Sequence, residues 1–207
     1  MIGIFGGTFD PPHLGHLALA ESVWRTLRLR QIRWIPLNQA VHKQPQASPS
    51  QRLTLVQAAI ADYPAFCADT CEMKRGGPSY MVETLASLRV CLPHQPLCLM
   101  MGSDTFSQLD HWRKPQQILQ LAHLIVVHRA DHTRPPPASL SLNYTDTLSE
   151  LQQCSSGLVY QHMITLPAIS STTIRYALAQ GDPTVARHLP PAVHTLIRQQ
   201  QLYQQTT

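Results

Sequence analysis

Charged residues are scarce in this sequence, and long apolar runs are absent from it. Asp, Glu, Lys and Arg together make up 14% of the 207 residues, against about 25% in an average globular protein. No apolar run approaches the roughly 18 residues that a membrane-spanning helix needs. The N-terminal residues also lack the charged and apolar regions of a secretory signal. We therefore expect a cytoplasmic protein with no membrane partner.

Basic residues are not gathered at any point of the chain. The formal net charge is +4, but no run of Lys and Arg forms the basic stripe that a nucleic-acid partner would need. The five cysteines are irregularly spaced, which argues against a disulfide framework or a complete zinc site. This charge balance suits a pocket for small polyanions such as nucleotides. We expect no nucleic-acid partner, and the sequence leaves the oligomeric state open.

Short apolar runs alternate with amphipathic stretches through the first 130 residues. Five runs have the length of strands: Met1–Phe5, Ile32–Leu37, Phe66–Met73, Leu97–Met101 and His123–His128. Three stretches between them predict helices: Leu17–Arg30, Ser50–Ala61 and Ser79–Val90. This alternation predicts parallel β-α-β units. We expect an α/β fold with a Rossmann-like, open, doubly wound parallel sheet, helices on both faces and a small C-terminal helical part.

The remaining sequence differs in composition. Arg129–Gly157 is rich in Pro, Ser and Thr, which predicts a surface excursion with one short helix near Thr147–Gln153. The chain then returns through His162–Leu166, and Ser171–Gln180 and Pro191–Gln201 predict two closing helices. We expect a single domain over residues 1–207, with its β-α-β core in about residues 1–130 and a closing part in about residues 158–207.

Three polar features are predicted to meet at one edge of the sheet. The turn Gly6-Gly7 follows the first predicted strand, Asn38 follows the second, and Gly102 follows the fourth. Ligands of such sheets bind beyond the carboxyl ends of the strands. We therefore expect the binding site at this edge.

The strongest chemical signal is the segment Gly6–His16, which reads GGTFDPPHLGH. Adjacent glycines let backbone N–H groups approach a phosphate closely, and a helix predicted to begin near Gly15 turns its positive end to the same point. His13 and His16 flank that start, so both can contact one anion. The segment lacks the Gly-Lys-Ser/Thr of a Walker A loop and the G-x-G-x-x-G of dinucleotide-dependent oxidoreductases. A zinc site is disfavoured because carboxylate or thiolate ligands are missing nearby.

A second segment, Ile169–Arg175, reads ISSTTIR. Ser and Thr before an apolar run are typical of a helix N-cap. A helix start that carries hydroxyls and an Arg can also bind phosphate. The residues by themselves leave both interpretations open.

Together the two segments resemble a known family. GGTFDPPHLGH resembles the (H/T)xGH signature of the nucleotidyltransferase superfamily, in the form typical of bacterial nicotinate mononucleotide adenylyltransferases. Ile169–Arg175 matches the I-S-x-T-x-I-R motif of that family, and the resemblance extends over about residues 1–203. It implies transfer of AMP from ATP to nicotinate mononucleotide in NAD biosynthesis. It also implies Mg²⁺ held mainly by ATP phosphates, and we name no protein ligand for that ion.

The resemblance implies a role for individual residues. The catalytic group comprises His13, His16, Lys43 and Arg175. ATP is expected to contact Gly6, Gly7, Thr8, Phe9, Gly102, Asp104, Ser170 and Thr172. The mononucleotide is expected to contact Asn38, Thr84, Trp112 and Arg113. Without the resemblance, Lys43 would be a solvated loop charge, Asp104 a helix cap and Trp112 a core residue.

The sequence departs from the family pattern at three places. Met81 replaces the first Thr of the family's P-S-Y-T-x-x-T stretch, and Ala130-Asp131 replace a Pro-Gly pair after Arg129. Arg113 replaces the aromatic residue that often follows the family's Trp. A main-chain contact at position 113 remains possible, and the charge of Arg113 would favour an acidic substrate.

Three alternative functions stay open, and a fourth, cytidylyl transfer, is disfavoured. Phosphopantetheine adenylyltransferases share the T/HxGH motif but are usually shorter. Cytidylyltransferases carry an R-T-E-G-I-S-T-T element that this sequence lacks. The acceptor could be nicotinamide mononucleotide instead of the acid, and a non-catalytic nucleotide-binding module is the most remote alternative.

Overall fold

The structure is a computed structural model that describes residues 1–41, 44–129, 135–165 and 169–204, with the side chain of Arg129 excepted. The strands are β1 (Ile2–Gly7), β2 (Gln31–Pro36), β3 (Phe66–Ala68), β4 (Leu97–Gly102), β5 (His123–Arg129), β6 (Asn143–Thr145) and β7 (Leu158–Ile164). The α-helices are α1 (Leu14–Thr26), α2 (Pro49–Ile60), α3 (Cys71–Arg75), α4 (Met81–Cys91), α5 (Ser103–Phe106), α6 (Pro115–Leu121), α7 (Leu148–Gln153), α8 (Ser171–Ala179) and α9 (Pro191–Gln199). Short 3₁₀ helices occupy Leu109–His111 and Pro183–His188.

All seven strands form one sheet in the order β3-β2-β1-β4-β5-β7-β6. Every pairing is parallel; Gly6 lies beside Ile35 on β2, and Met100 lies beside Ile125 on β5. From β1 the chain moves outward to β2 and β3, and it then returns to β4 on the other side of β1. The expected doubly wound, Rossmann-like sheet is confirmed. Its switch point lies between β1 and β4, where ligands of such sheets bind.

Helices cover both faces of the sheet, as expected. Ile4 on β1 packs with one cluster of buried side chains and its neighbour Phe5 with the other, because successive side chains of a strand point to opposite faces. One cluster includes Val23, Leu55, Ile174 and Val193 from α1, α2, α8 and α9; the other includes Leu85, Phe106 and Ile118 from α4, α5 and α6. Burying each such aliphatic or aromatic side chain contributes about 1.5–3 kcal/mol, so this two-sided core supplies most of the stability.

Several predicted elements differ in extent from the observed ones. The predicted strand Phe66–Met73 ends at Ala68, because the Asp69 carboxylate accepts a hydrogen bond from the Cys71 amide and turns the chain into α3. Ser79 was expected to cap a helix, yet α4 begins at Met81 and the Ser79 hydroxyl accepts instead from the Asn38 amide.

The Pro-rich excursion contributes to the sheet. Asn143–Thr145 forms the edge strand β6 alongside β7, and Leu140 and Leu151 of the same segment are buried in the two core clusters. The short helix predicted there is confirmed as α7. The predicted strand His162–Leu166 begins earlier, at Leu158. Within the described ranges, no helix is long and apolar enough to cross a membrane.

Candidate active site

A cleft of about 1000 Å³ opens beyond the carboxyl ends of β1 and β4. Residues from the turn after β1, the start of α5, the segment after the first 3₁₀ helix and the start of α8 line it. The structure thus brings together most of the residues that the sequence nominated: Gly6, Gly7, Thr8, Phe9, His13, His16, Gly102, Asp104, Trp112, Arg113, Ser170, Thr172 and Arg175.

The turn after β1 is shaped by close packing against its glycines. Phe9 has a left-handed backbone with φ of 50°, and its ring is buried against Phe5 and Trp34 at centroid distances of 5.4 and 5.1 Å. A Cβ atom at Gly7 would lie 2.9 Å from the Phe9 ring, and one at Gly6 would collide with the end of Met81. The buried Phe9 ring leaves no room for a side chain at Gly7, whereas the obstruction at Gly6 is the flexible end of the Met81 side chain. Because the Phe9 ring faces the core, only its backbone is placed to contact a ligand.

His13 and His16 form a pair at the start of α1. Their ring centroids lie 3.7 Å apart with the planes inclined by 33°, and both rings line the cleft. The Nδ1 atom of His16 accepts a hydrogen bond from the His13 amide at 3.3 Å. A neutral His16 therefore carries its proton on Nε2. That nitrogen is the donor that His16 can offer to a bound anion.

The start of α8 is fastened to the turn after β1. The Ser171 hydroxyl donates to the Pro11 carbonyl at 2.9 Å, and the Arg175 guanidinium donates to the Asp10 carbonyl at 2.8 Å. Ser170 caps the helix by accepting from the Thr173 amide, so the capping interpretation of this segment is confirmed. Two helix N-termini, each with polar side chains, consequently face one cleft. Such N-termini carry positive partial charge that favours anions.

Asp10 lies beneath this junction and is only 2% exposed. Its carboxylate accepts hydrogen bonds from the amides of Gln46 and Ala47 at 2.8 and 3.0 Å. It also accepts from the Tyr203 hydroxyl at 2.9 Å, and the Arg175 guanidinium lies 3.7 Å away. With its oxygens engaged in this way, Asp10 holds loops together and is not placed to act on a substrate.

Arg52 is a site-forming residue that the sequence interpretation missed. Its side chain is fully buried, and it donates to the carbonyls of Thr8 at 2.8 Å and Leu37 at 2.6 Å. It also contacts the carbonyls of Asn38 and Ala47. Burial lowers the pKa of the guanidinium, and nearby Asp10 opposes that shift. The sequence does contain a signal for this role. Arg52 lies at helical spacing from Leu55, Val56 and Ala59, which places it on the buried face of α2.

Two nominated residues do not line the cleft. The Asn38 side chain donates to the Gly77 carbonyl at 3.0 Å, and the residue borders an adjacent depression. Thr84 is fully buried on α4, where its hydroxyl donates to Glu72 and accepts from Arg75 at 3.1 Å. Both polar groups are already satisfied by the protein. Lys43, the fourth nominated catalytic residue, lies outside the described residues.

Trp112 and Arg113 form one wall of the cleft together with Tyr80. Trp112 is half-buried and follows the 3₁₀ turn at Leu109–His111. The Arg113 guanidinium carbon lies 4.5 Å from the centre of the Tyr80 ring, and its Nη1 atom lies 3.1 Å from a Glu83 carboxylate oxygen. The departure at position 113 therefore places a fixed cation beside the tryptophan.

Comparison with known proteins shows the family to which the chain belongs. The family model described as cytidylyltransferase-like matches residues 4–177. A protein of Methylococcus capsulatus named "probable nicotinate-nucleotide adenylyltransferase" is 40% identical over 98% of this chain and 99% of its own length. One of the same name from Hydrogenovibrio crunogenus is 38% identical over 99% and 98%. The chain belongs to the cytidylyltransferase-like family, among its nicotinate-nucleotide adenylyltransferases.

Solved structures of distant relatives share the fold. Nicotinic acid mononucleotide adenylyltransferase of Plasmodium falciparum, complexed with NaAD, superposes with a TM-score of 0.74 at 15% identity, over 98% of this chain and 96% of that one. The same enzyme complexed with APC gives a TM-score of 0.71 at 14% identity, with the same coverage. At such identities the likeness establishes the fold alone.

The described side chains do not gather into a metal-binding cluster. In the ranges that the structure covers, no group of three or more His, Cys, Asp or Glu residues could hold a metal ion. Asp10 is taken up by two amides and a hydroxyl.

Proposed function

We propose that this protein transfers AMP from ATP to nicotinate mononucleotide, giving nicotinate adenine dinucleotide and pyrophosphate. The observation that carries the proposal is the junction of α1 and α8, where the His13–His16 pair and Arg175 line one cleft. The names of the relatives at about 40% identity support the choice of substrates. We also propose that residues 1–207 act as a single nucleotidyltransferase domain in NAD biosynthesis.

The reaction needs no protein nucleophile. An oxygen of the mononucleotide 5′-phosphate attacks the α-phosphorus of ATP, and the bond from that phosphorus to the bridging oxygen of the β-phosphate breaks. The electron pair leaves with pyrophosphate. The protein then contributes by positioning the two phosphates and by stabilising the charge that develops on the phosphoryl oxygens. Fixing both reactants can supply about 7–11 kcal/mol of the barrier reduction.

In this proposal one group of residues binds ATP and its phosphates. Backbone amides of Gly6–Phe9 bind the triphosphate, and the Nε2–H group of His16 and the His13 ring donate to its α- and β-phosphates. Arg175 and Lys43 stabilise the departing pyrophosphate. Ser170 and Thr172 also bind the phosphates, and Gly102 and Asp104 bind the ATP ribose.

The mononucleotide occupies the wall that carries Trp112 and Arg113. Trp112 stacks on the pyridine ring, since the flat face of an indole binds aromatic rings without needing a specific substituent. Asn38 and Thr84 act indirectly: Asn38 fixes the loop after β2 through Gly77 and Ser79, and Thr84 fixes α4 against Glu72. This is a change from the direct contacts that the sequence resemblance implies.

We propose that Mg²⁺ enters with ATP. The engaged carboxylate of Asp10 supports this, because phosphate oxygens and water would then supply most of the ligands, as is usual for Mg²⁺. The ion would neutralise part of the triphosphate charge. The cytoplasmic location and the lack of a nucleic-acid partner stay predictions.

A pyrophosphate-release assay tests the proposal. The purified protein is given ATP and Mg²⁺ with nicotinate mononucleotide, nicotinamide mononucleotide or phosphopantetheine in turn. We expect the highest kcat/KM with the nicotinate substrate. A preference for the amide or for phosphopantetheine would assign one of the sister reactions, and no pyrophosphate release with any acceptor would favour a non-catalytic nucleotide-binding module.

A further inference from the structure

We propose that the Arg113 side chain selects the acidic mononucleotide by its charge, and that Glu83 moderates this selection. The inference rests on the proposed function and concerns how the cleft distinguishes a pyridine carboxylate from a pyridine carboxamide. The sequence already favours an acidic substrate through the charge of Arg113; the structure adds the contacts of that side chain with Glu83 and Tyr80.

Arg113 is placed where a ring substituent can reach it. It follows Trp112 in the chain, and both side chains line the cleft together with Tyr80. A pyridine ring stacked on Trp112 is therefore a neighbour of the guanidinium. The Arg113 side chain is 50% exposed and lines the cleft, so a ligand has access to its charge. Glu83 does not line the cleft and acts through its contact with Arg113.

The guanidinium is held in place by two contacts. Its carbon lies 4.5 Å from the centroid of the Tyr80 ring, a distance at which a cation is attracted to the ring face. Its Nη1 atom lies 3.1 Å from Glu83 Oε1. An arginine has five N–H donors, so donors remain for a second carboxylate after Glu83 has taken one. The side chain is thus restrained before substrate binds, which lowers the entropy cost of using it.

Arg175 also lines the cleft, and the proposed function assigns it to the pyrophosphate group. Arg175 donates to the Asp10 carbonyl at 2.8 Å and lies 3.7 Å from the Asp10 carboxylate. Arg113 pairs with partly exposed Glu83, and ion pairs between exposed side chains are weak because water screens them. A substrate carboxylate can therefore compete with Glu83 for the guanidinium.

The chemistry distinguishes the two substrates. A carboxylate forms an ion pair with a guanidinium, in which donor and acceptor are both charged, whereas the carboxamide oxygen is a neutral acceptor for the same donor. Glu83 opposes the acid, because it neutralises part of the Arg113 charge and repels a second carboxylate. The neutral carboxamide is affected much less by the charges of Arg113 and Glu83. Removing Arg113 and removing the Glu83 charge should therefore shift the acid-to-amide preference in opposite directions.

The experiment measures kcat/KM for nicotinate and nicotinamide mononucleotide, with saturating ATP, for Arg113→Gln, Arg113→Lys and Glu83→Gln. We expect Arg113→Gln to lower the acid-to-amide ratio about tenfold or more, the loss typical of one hydrogen bond to a charged group. Arg113→Lys keeps the charge and loses the planar fork, so it should recover part of the ratio. Glu83→Gln should raise the ratio severalfold.

Arg25 and Glu21 provide a matched control pair. They form an ion pair at 2.7 Å, Arg25 lies over the Trp24 ring at 5.8 Å, and neither residue lines the cleft. Arg25→Gln and Glu21→Gln should leave the ratio unchanged. Titration calorimetry of each mononucleotide against each variant adds a readout that does not depend on turnover.

The possible results distinguish the role of Arg113 and Glu83 from the proposed function. Equal losses on both mononucleotides in Arg113→Gln would overturn the inference and point to a contact with the phosphate that both substrates share. An unchanged acid-to-amide ratio in Glu83→Gln would show that Glu83 has no part in the selection. A wild-type protein that turns over neither mononucleotide would instead contradict the proposed function itself.

Discussion

The Tyr203 hydroxyl donates a hydrogen bond to the Asp10 carboxylate across 2.9 Å, joining residues that are 193 positions apart in the chain. Asp10 belongs to the turn after β1, and Tyr203 follows the last helix. The same carboxylate holds the loop before α2 through two amides. One buried acid thus ties three segments together beneath the candidate active site.

Tyr203→Phe should weaken this junction and alter its pH dependence. Loss of a hydrogen bond to a charged group costs about 1.5–3 kcal/mol. Burial, and then Asp10, raise the pKa of the Tyr203 hydroxyl above its ordinary value. A raised pKa in the folded state contributes stability that is complete below the unfolded pKa of about 10 and is lost as pH rises further.

Urea unfolding of wild type and Tyr203→Phe from pH 8 to 11 tests this prediction. The wild-type free energy of unfolding should fall more steeply above about pH 10 than that of the variant. Tyr63, Tyr144, Cys71 and Cys98 also have raised pKa values, so the difference between the two proteins is the informative quantity. If the unfolding free energies of the two proteins changed in parallel with pH, the pKa of Tyr203 would be the same in the folded and unfolded states.

His16→Ala should remove a donor to the triphosphate while the fold survives. The neighbouring buried residues Leu17 and Leu19 keep α1 on the sheet. Removal of one donor that stabilises transition-state charge costs about 10²–10³ in kcat. Steady-state pyrophosphate release measures the loss, and circular dichroism checks the fold. His94→Ala, in an exposed loop, is the control and should be fully active; a folded His16→Ala with normal kcat would exclude His16 from catalysis.

Arg52→Met should destabilise the protein strongly. The substitution leaves several loop carbonyls without their donor and removes a cation that interacts with buried Asp10. Each buried acceptor that is left without a partner costs about 1–3 kcal/mol. Denaturant unfolding measures the change, with Gln57→Met on the exposed face of the same helix as control. A loss no larger than that of the control would mean that water replaces the guanidinium.

Trp112→Ala should raise the KM for the mononucleotide much more than the KM for ATP. Stacking of a base on an aromatic side chain is worth about 1–3 kcal/mol, and Trp112 is only half-buried, so the fold should tolerate its loss. Initial rates with each substrate varied in turn separate the two constants. Equal increases in both would indicate a general distortion of the cleft instead of a lost stacking contact.

Mild acid should destabilise the sheet through His123. Its Nδ1 atom accepts from the Leu158 amide at 3.2 Å, and Nε2 lies 3.0 Å from the Cys154 carbonyl, so the ring is neutral. Burial lowers the pKa of His123 and also that of His162. A lowered pKa contributes stability that is present above the unfolded value of about 6.5 and is lost as pH falls.

Unfolding free energies at pH 7.5 and 5.5 test the role of His123. The decrease on acidification should be smaller in His123→Asn, which keeps a polar side chain without titrating. His188→Asn, on a half-exposed histidine of a 3₁₀ helix, should show the wild-type decrease. Identical pH dependence in His123→Asn and wild type would contradict the assignment.

The sequence predicted strand bounds most accurately where a run of neighbouring residues defines the strand. The apolar runs of β4 and β5 lie within a residue of their predicted bounds, because strands buried on both faces leave continuous hydrophobic stretches in the sequence. Phe66–Met73 was predicted too long, since Asp69 turns the chain by a hydrogen bond that the apolar pattern does not reveal. The edge strand β6 was missed because its exposed residues lack such a run.

The candidate site was predictable in its motifs and not in its supporting contacts. Gly6–His16 and Ile169–Arg175 could be identified because a phosphate-binding helix start is built from consecutive residues. Thr84 was nominated for the ligand, yet the fold directs its hydroxyl to Glu72. Arg52 was not nominated, although the fold makes it the donor to two loops.

The sequence by itself determined the strand–helix alternation and the two phosphate-type motifs, since both depend on the order and spacing of neighbouring residues. Only the tertiary structure decided which polar side chains share the cleft. The contacts of Asp10 with Tyr203 and of Arg113 with Tyr80 join segments that are distant in the chain. Such contacts depend on how the sheet orders its strands, and residue spacing does not encode that order.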